Sequence, residues 1–225
     1  MPRKYRAVLF DVYGTLLDVH GIAVLAEQHF PGSGMALSQG WRSKQLQYSW
    51  LRTLALRHAD FRQVTADALE YAAEELGLPL APGVRDELMQ YYLRLPAFAG
   101  AGMLLQALRD KGVVALAALS NGSPEMLEPA LERAGLRPLL DDVLSIEQVR
   151  RYKVAPEAYQ LALDRFGGEP RDFLLVSSNG WDVAGATIFG FDTFWVNRTQ
   201  APVERLGVVP TAIGTQLDDL VAWLG

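Results

Sequence analysis

The sequence predicts a doubly wound parallel α/β sheet carrying a block of helices inserted after its first strand. Five short apolar runs suit strands. From Val113 onward, helical patterns separate these runs, the alternation expected of a parallel sheet. About a hundred residues between the first run and the second carry helix signals and no strand signal.

The strand runs are Ala7 to Phe10, Val113 to Leu119, Val143 to Ile146, Phe173 to Val176, and Thr193 to Val196. Each is too apolar to alternate faces, as in a strand covered on both sides. Helices are expected over Ile22 to His29, Leu37 to His58, Val64 to Leu76 and Val84 to Arg94, then Gly100 to Lys111 as the crossover back into the sheet. Pro31-Gly32, Gly77, Pro79 and Pro82-Gly83 punctuate the first four. Later helices are expected over Pro124 to Ala134, Pro156 to Phe166 and Val183 to Phe189. The division is therefore a sheet domain of residues 1–17 and 97–225 and a helical cap subdomain of residues 18–96.

Composition narrows the function. Half of the 225 residues are hydrophobic, enough for a substantial core. The net charge of -5 provides no basic footprint for nucleic acid or an anionic membrane. With no cysteine, disulfides, thiolate nucleophiles and Cys-based zinc sites are excluded, a composition compatible with the cytosol. Arg3, Lys4 and Arg6 precede an apolar run, but it stops at Asp11 without a small-residue cleavage site, so no signal peptide is expected. No apolar stretch is long enough to span a bilayer, and there is no repeat or low-complexity segment.

Chemistry gathers at the strand ends, where open α/β sheets place their ligands. The first strand ends in Asp11, followed by Val12-Tyr13-Gly14-Thr15. A carboxylate there can serve as nucleophile, base or metal ligand. The second ends in Ser120-Asn121-Gly122 before a helix. Those residues either cap the helix or bind an anion at its N-terminus. The fourth ends in Ser177-Ser178-Asn179-Gly180-Trp181-Asp182, a denser polar run than capping requires. Between them, Lys153 precedes a helix whose Pro156 suits the first turn. In the inserted block, Trp41-Arg42-Ser43-Lys44-Gln45-Leu46-Gln47-Tyr48 mixes charge with aromatics.

Taken together, Phe10-Asp11-Val12-Tyr13-Gly14-Thr15-Leu16, Ser120-Asn121-Gly122, Tyr152-Lys153 with Tyr159, and Ser177 to Asp182 resemble the haloacid dehalogenase superfamily. With Trp41-Arg42-Ser43-Lys44-Gln45-Leu46, they are similar to L-2-haloacid dehalogenases in family order through nearly the whole chain. The resemblance implies a Rossmann-like core with a helical cap. Two positions favour dehalogenase over a magnesium-dependent phosphatase of the same superfamily. The phosphatases carry a second Asp, the acid for an alkoxide leaving group, where this chain has Tyr13. An unperturbed phenol is too weak an acid for that task near neutral pH, and a halide needs no proton. They also carry a magnesium-binding Asp where this chain has Ser178. Asp11 and Asp182 alone are a thin set for a hard cation. No metal and no cofactor are expected.

The resemblance implies a short L-2-haloacid as substrate, attacked at C2 by Asp11 to give an aspartyl ester that water opens, releasing halide and an inverted D-2-hydroxy acid. It further implies carboxylate binding by Ser120 and the Asn121 N–H. Arg42, the Asn121 side chain and the Trp181 edge would cradle the halide. Lys153 would pair with Asp11. Asp182 and Asn179 would orient Lys153 and the water, with Ser177 and Tyr159 in the same network and Thr15 bonded near Asp11. Tyr13, Leu46, Phe61 and Trp181 would wall the pocket, and Tyr159 is grouped with the substrate-binding residues. A homodimer is implied as well. Where the family commonly has Tyr-Lys-Pro-Asp-Pro, this chain has Tyr152-Lys153-Val154-Ala155-Pro156. Two readings compete with dehalogenation: a magnesium-dependent phosphatase, and a non-catalytic binding protein on the same fold.

Overall fold

A computed structural model describes residues 5–112 and 115–225. The expectations at Arg3, Lys4 and Val113 lie outside them. Strands β1 (Ala7–Phe10), β2 (Leu116–Ser120), β3 (Asp142–Ser145), β4 (Phe173–Ser177), β5 (Asp192–Val196) and β6 (Ala212–Gly214) form one sheet in the order β3-β2-β1-β4-β5-β6. Every pairing is parallel. The order reverses at β1, which lies between β2 and β4, so the crevice of this topology opens at the carboxyl end of β1.

All four residues of β1 are fully buried, as its uninterrupted apolar run requires. Its pleat divides two cores. Val8 and Phe10 join a large cluster with Leu104, Leu105 and Leu108 of helix α5 (Ala101–Asp110) and Met126, Leu127, Ala130 and Leu131 of α6 (Pro124–Arg133). Ala7 and Leu9 face a second cluster with Tyr159, Leu161 and Ala162 of α7 (Pro156–Phe166) and Ala186 of α8 (Gly180–Phe189). Each large apolar side chain buried this way contributes about 1.5–3 kcal/mol.

Four helices intervene between β1 and α5: α1 (Gly21–His29), α2 (Gly34–Leu54), α3 (Phe61–Glu75) and α4 (Pro82–Tyr91). The chain leaves and re-enters the sheet layer at a single gate. The Asp18 N–H donates to Pro96 O at 2.8 Å, and the Phe98 N–H to Leu16 O at 2.9 Å. Helix α3 begins three residues earlier than expected because the Asp60 carboxylate caps it, accepting the Gln63 N–H at 2.8 Å. Among the described residues, the sequence reading missed β6 and a terminal helix, α9 (Asp219–Leu224). No described helix is long and apolar enough to cross a membrane.

Candidate active site

The carboxyl edge of the sheet presents four loops to one point. Asp11 directly follows β1, and Gly14 takes the left-handed φ of 87° that turns the chain back behind it. Ser120 ends β2, Ser177 ends β4, and Lys153 precedes α7. Gly122 permits a close approach. A Cβ there would stand 2.9 Å from both Leu127 and the Tyr13 ring.

Asp11 is 5 % exposed, and each of its oxygens is engaged. Oδ2 accepts the Thr15 hydroxyl at 2.9 Å and the Asn179 amide at 2.7 Å. Oδ1 faces Lys153 Nζ at 3.3 Å. The same ammonium donates to Asp182 Oδ2 at 2.8 Å, and Asp182 Oδ1 accepts the Tyr159 hydroxyl at 2.9 Å. Lys153 and Asp182 are wholly buried. Burial works against the Lys153 charge, but Asp182 and Asp11 outweigh it and hold the ammonium above the ordinary lysine value. Burial pushes the Asp182 carboxyl up, while Lys153 pulls the other way. The three groups form a carboxylate–ammonium–carboxylate chain.

The neighbouring loops brace this chain. The Ser178 N–H donates to Thr15 Oγ1 at 2.9 Å, and the Asn179 N–H to Ser177 Oγ at 3.1 Å. Ser177 therefore shapes the loop that delivers Asn179. The Lys153 N–H donates to Asn121 Oδ1 at 2.9 Å. A main-chain N–H can only donate, so this bond turns the Asn121 NH2 group away from Lys153. Ser120 Oγ accepts the Gly122 N–H at 3.1 Å, which leaves the hydroxyl proton for another acceptor.

Helix α2 closes the open side. Arg42 Nη1 donates to Gln45 Oε1 at 2.7 Å, and Nη2 lies 3.5 Å from Tyr13 O. Among the described residues Arg42 forms no ion pair, so its charge is held by neutral acceptors. Gln45 is fixed in turn through Thr65, at 2.7 Å. Leu46 stands one turn beyond Arg42, and Trp50 a turn further, all on one helix face. Trp50 meets Trp181 edge to face at 5.6 Å. Phe61 stacks on Tyr13 at 5.9 Å, and Tyr92 meets Tyr13 at 5.7 Å. Burial, with Tyr92 adding to it and Arg42 opposing, pushes the Tyr13 phenol well above its ordinary value. A side chain treated as an unperturbed phenol from sequence is a still weaker acid.

One expected placement needs correction. Tyr159, grouped with the substrate-binding residues, is fully buried behind Asp182 among Phe189 and Phe191. It comes from the core on the far face of the sheet and reaches the site only through its hydroxyl.

Sequence reasoning missed Trp50 and Arg198, and gave Gln45 no role. Arg198 Nη1 donates to Ser178 Oγ at 2.6 Å and Gly14 O at 2.9 Å, and Nη2 to Thr15 O at 3.0 Å. Its guanidinium lies 3.7 Å above the Phe98 ring. It stitches the loop after Asp11 to the loop after β4. The Trp195-Val196-Asn197-Arg198 run at a strand end was the available signal.

The donors do not suit a cation. Among the described residues, no three His, Cys, Asp or Glu side chains converge as a metal site. The inner oxygens of Asp11 and Asp182 are already engaged by Lys153.

A family model for haloacid dehalogenase-like hydrolases matches residues 5–190. The chain belongs to this family. Among haloacid dehalogenase-like hydrolases it sides with the L-2-haloacid dehalogenases. It is 42% identical to the (S)-2-haloacid dehalogenase of Pseudomonas sp. strain YL, over 91% of this chain and 88% of that one. It is 44% identical to (S)-2-haloacid dehalogenase 4A of Burkholderia cepacia, over 91% and 88%. The crystal structure of an L-2-haloacid dehalogenase superposes with a TM-score of 0.96 at 48% identity, covering 98% of this chain and 99% of that one. The enzyme from Xanthobacter autotrophicus, solved with chloropropionic acid covalently bound, gives a TM-score of 0.89 at 37% identity, covering 97% of each chain.

Proposed function

We propose that this chain hydrolyses short L-2-haloalkanoic acids to D-2-hydroxy acids, with inversion and without a metal ion, through an ester on Asp11. The observation that carries this reading is the fixation of Asp11: Thr15 and Asn179 hold Oδ2, and Lys153 flanks Oδ1. Such a carboxylate is oriented before substrate arrives, the condition for in-line displacement. An Asp11 oxygen attacks C2 opposite the halogen. The new C–O bond forms as the carbon–halogen bond breaks, and halide leaves with the bonding pair. Ser120 and the Asn121 N–H hold the substrate carboxylate. Arg42, the Asn121 amide and the Trp181 edge receive the halide. A guanidinium bound to neutral acceptors is free to take up an anion. Leu46, Phe61 and the Tyr13 ring exclude bulk water, which strengthens these charge interactions.

Water then adds to the ester carbonyl, directed by Asp182 and Asn179. The C–O bond between the acyl carbon and the hydroxy-acid oxygen breaks, one water proton passes to that oxygen and the other is released to solvent, and the Asp11 carboxylate is regenerated with the water's oxygen. The Asp182–Lys153 pair, held from behind by Tyr159, keeps its geometry through both steps. Because Tyr13 is buried and its phenol is raised far from neutrality, nothing at that position protonates an alkoxide. This counts against the phosphatase reading.

Single turnover in heavy-oxygen water tests the ester. The first product molecule is expected to carry no label in its new hydroxyl, because that oxygen comes from Asp11. Label there points instead to direct attack by water. Chloride release from L-2-chloropropionate is expected to be unchanged by a chelator, and loss of activity would return a metal to the mechanism.

The helical insert, residues 18–96, reads as the cap subdomain over a core of residues 1–17 and 97–225. The Leu17 to Ala97 gate supports these limits. A cytoplasmic homodimer completes the proposal. The absence of cysteine is compatible with that compartment, and the exposed Leu51, Leu54 and Leu56 support self-association, which sedimentation would measure.

A further inference from the structure

The insert grips the sheet domain unevenly. Near Asp11 the hydrogen bond from the facing α2 surface is Arg42 to Tyr13 O, a long one at 3.5 Å. Farther along, the insert holds the stretch from Glu147 to Lys153 repeatedly. Trp50 Nε1 donates to Lys153 O at 3.1 Å. The Tyr152 N–H donates to Thr53 Oγ1 at 3.1 Å, and the Tyr152 hydroxyl to Ala59 O at 2.6 Å. Glu147 bonds His58 at 2.9 Å and accepts the Phe61 N–H at 3.3 Å.

Two of these bonds reach the main chain at Tyr152 and Lys153. The core holds the Lys153 N–H through Asn121 Oδ1, and the insert holds its carbonyl through Trp50. Thr53 fixes the preceding peptide. The Trp50 ring also packs on Trp181, from the loop that carries Asn179 and Asp182. The Lys153 side chain is wholly buried and its ammonium is held between Asp182 and Asp11, so it has little room to rotate and a shift of its backbone carries the ammonium with it. An ammonium must lie within a few tenths of an ångström of its working position to hold a reacting carboxylate well.

We propose that Trp50 and Thr53 are positioning residues for Lys153. Trp50 holds its carbonyl and Thr53 the N–H of the residue before it, so that the placement of α2 sets the alignment of the ammonium on Asp11. This rests on the role given to Lys153 in the proposed mechanism. The halide-binding Arg42 and the clamp share one helix. The placement of α2 therefore acts on the lysine and the arginine together.

Chloride release from L-2-chloropropionate by Thr53→Val, Thr53→Ser, Trp50→Phe and Lys153→Met tests the clamp. Valine matches threonine in shape but cannot accept the Tyr152 N–H. Thr53→Val is expected to lower kcat about tenfold with KM held within about twofold, the scale of a small misplacement of a catalytic group. Thr53→Ser restores the acceptor and should recover kcat. A residue that merely supports the fold would lower the melting temperature and the active fraction, while leaving kcat per titrated site unchanged. If Thr53→Val does not fold, Trp50→Phe replaces it, since it keeps the ring on Trp181 and removes the N–H, with the same split expected. Normal kcat per site in the folded variant, or a loss confined to KM, overturns the clamp when Lys153→Met is inactive. Near-normal turnover by Lys153→Met overturns the role of the lysine itself.

Discussion

Asp11 and Arg42 are charged groups of one site, yet they are held in opposite ways. Asp11 is almost fully buried, takes hydrogen bonds from Thr15 and Asn179, and shares an ammonium with a second carboxylate. Arg42 is half-buried, leans on Gln45 and one main-chain carbonyl, and has no carboxylate against it among the described residues. The difference follows from their tasks. A nucleophile gains from being fixed before the substrate comes. A group that receives a departing anion has to keep its charge uncommitted until then. Rigid pairing belongs on the sheet edge and spare charge on the insert.

The strongest way to break this contrast is to remove the ammonium. Lys153→Met leaves Asp11 and Asp182 facing each other without compensation. Turnover should fall by about a thousandfold or more, and stability by about 3–5 kcal/mol, read from urea melts. The pH dependence sharpens the same point. The folded Lys153 titrates above its ordinary value of 10.5, so its stabilisation is present in full below that pH and is lost as pH rises through the higher folded value. Denaturant melts from neutral to strongly alkaline pH should show this loss in the native protein. The component due to Lys153 should be missing from Lys153→Met.

Arg42→Lys tests the other side. It keeps the charge but not the fork that reaches Gln45 and Tyr13 O together, and turnover should fall about a hundredfold with the melting temperature nearly unchanged. Equal losses of stability in the Arg42 and Lys153 variants would erase the contrast. The smallest effect is expected of Arg198→Met, behind the loop of Asp11. It should cost about 1–3 kcal/mol of stability through the acceptors left unpaired, with a severalfold loss of kcat.

The sheet was legible because a strand buried on both faces must be largely apolar: β1 is so throughout, β4 from Phe173 to Val176, and β5 from Phe194 to Val196. The final strand was not, since three residues between turns, Ala212 to Gly214, set up no pattern. Helix starts were less legible than helix bodies: the helical pattern begins at Val64, whereas the Asp60 cap sets the start of α3 at Phe61. At the site, residues inside contiguous motifs could be singled out from sequence alone. Trp50 and Arg198 could not, because their partners include main-chain oxygens distant in sequence, and Gln45, though inside the α2 motif, gave no sign of its bond to Thr65. A carbonyl of Lys153 or Gly14 has no residue type that marks it as an acceptor. Tyr159 shows the reverse problem. Its polar end was legible, but the direction of approach, through the far core, depends on the sheet topology.

The gate at Leu17 and Ala97 has a consequence for how such a protein can change. The insert's two ends are neighbours, bonded through Asp18 with Pro96 and Leu16 with Phe98. To the sheet, everything between them is a loop whose ends are already closed, and doubling the length of a flexible loop costs only about 0.6 kcal/mol in closure entropy. The stretches of the insert outside α2 can lengthen or shorten while the register of β1 stays as it is. Helix α2 alone is tied to both sides of the gate, through Arg42, Trp50 and Thr53.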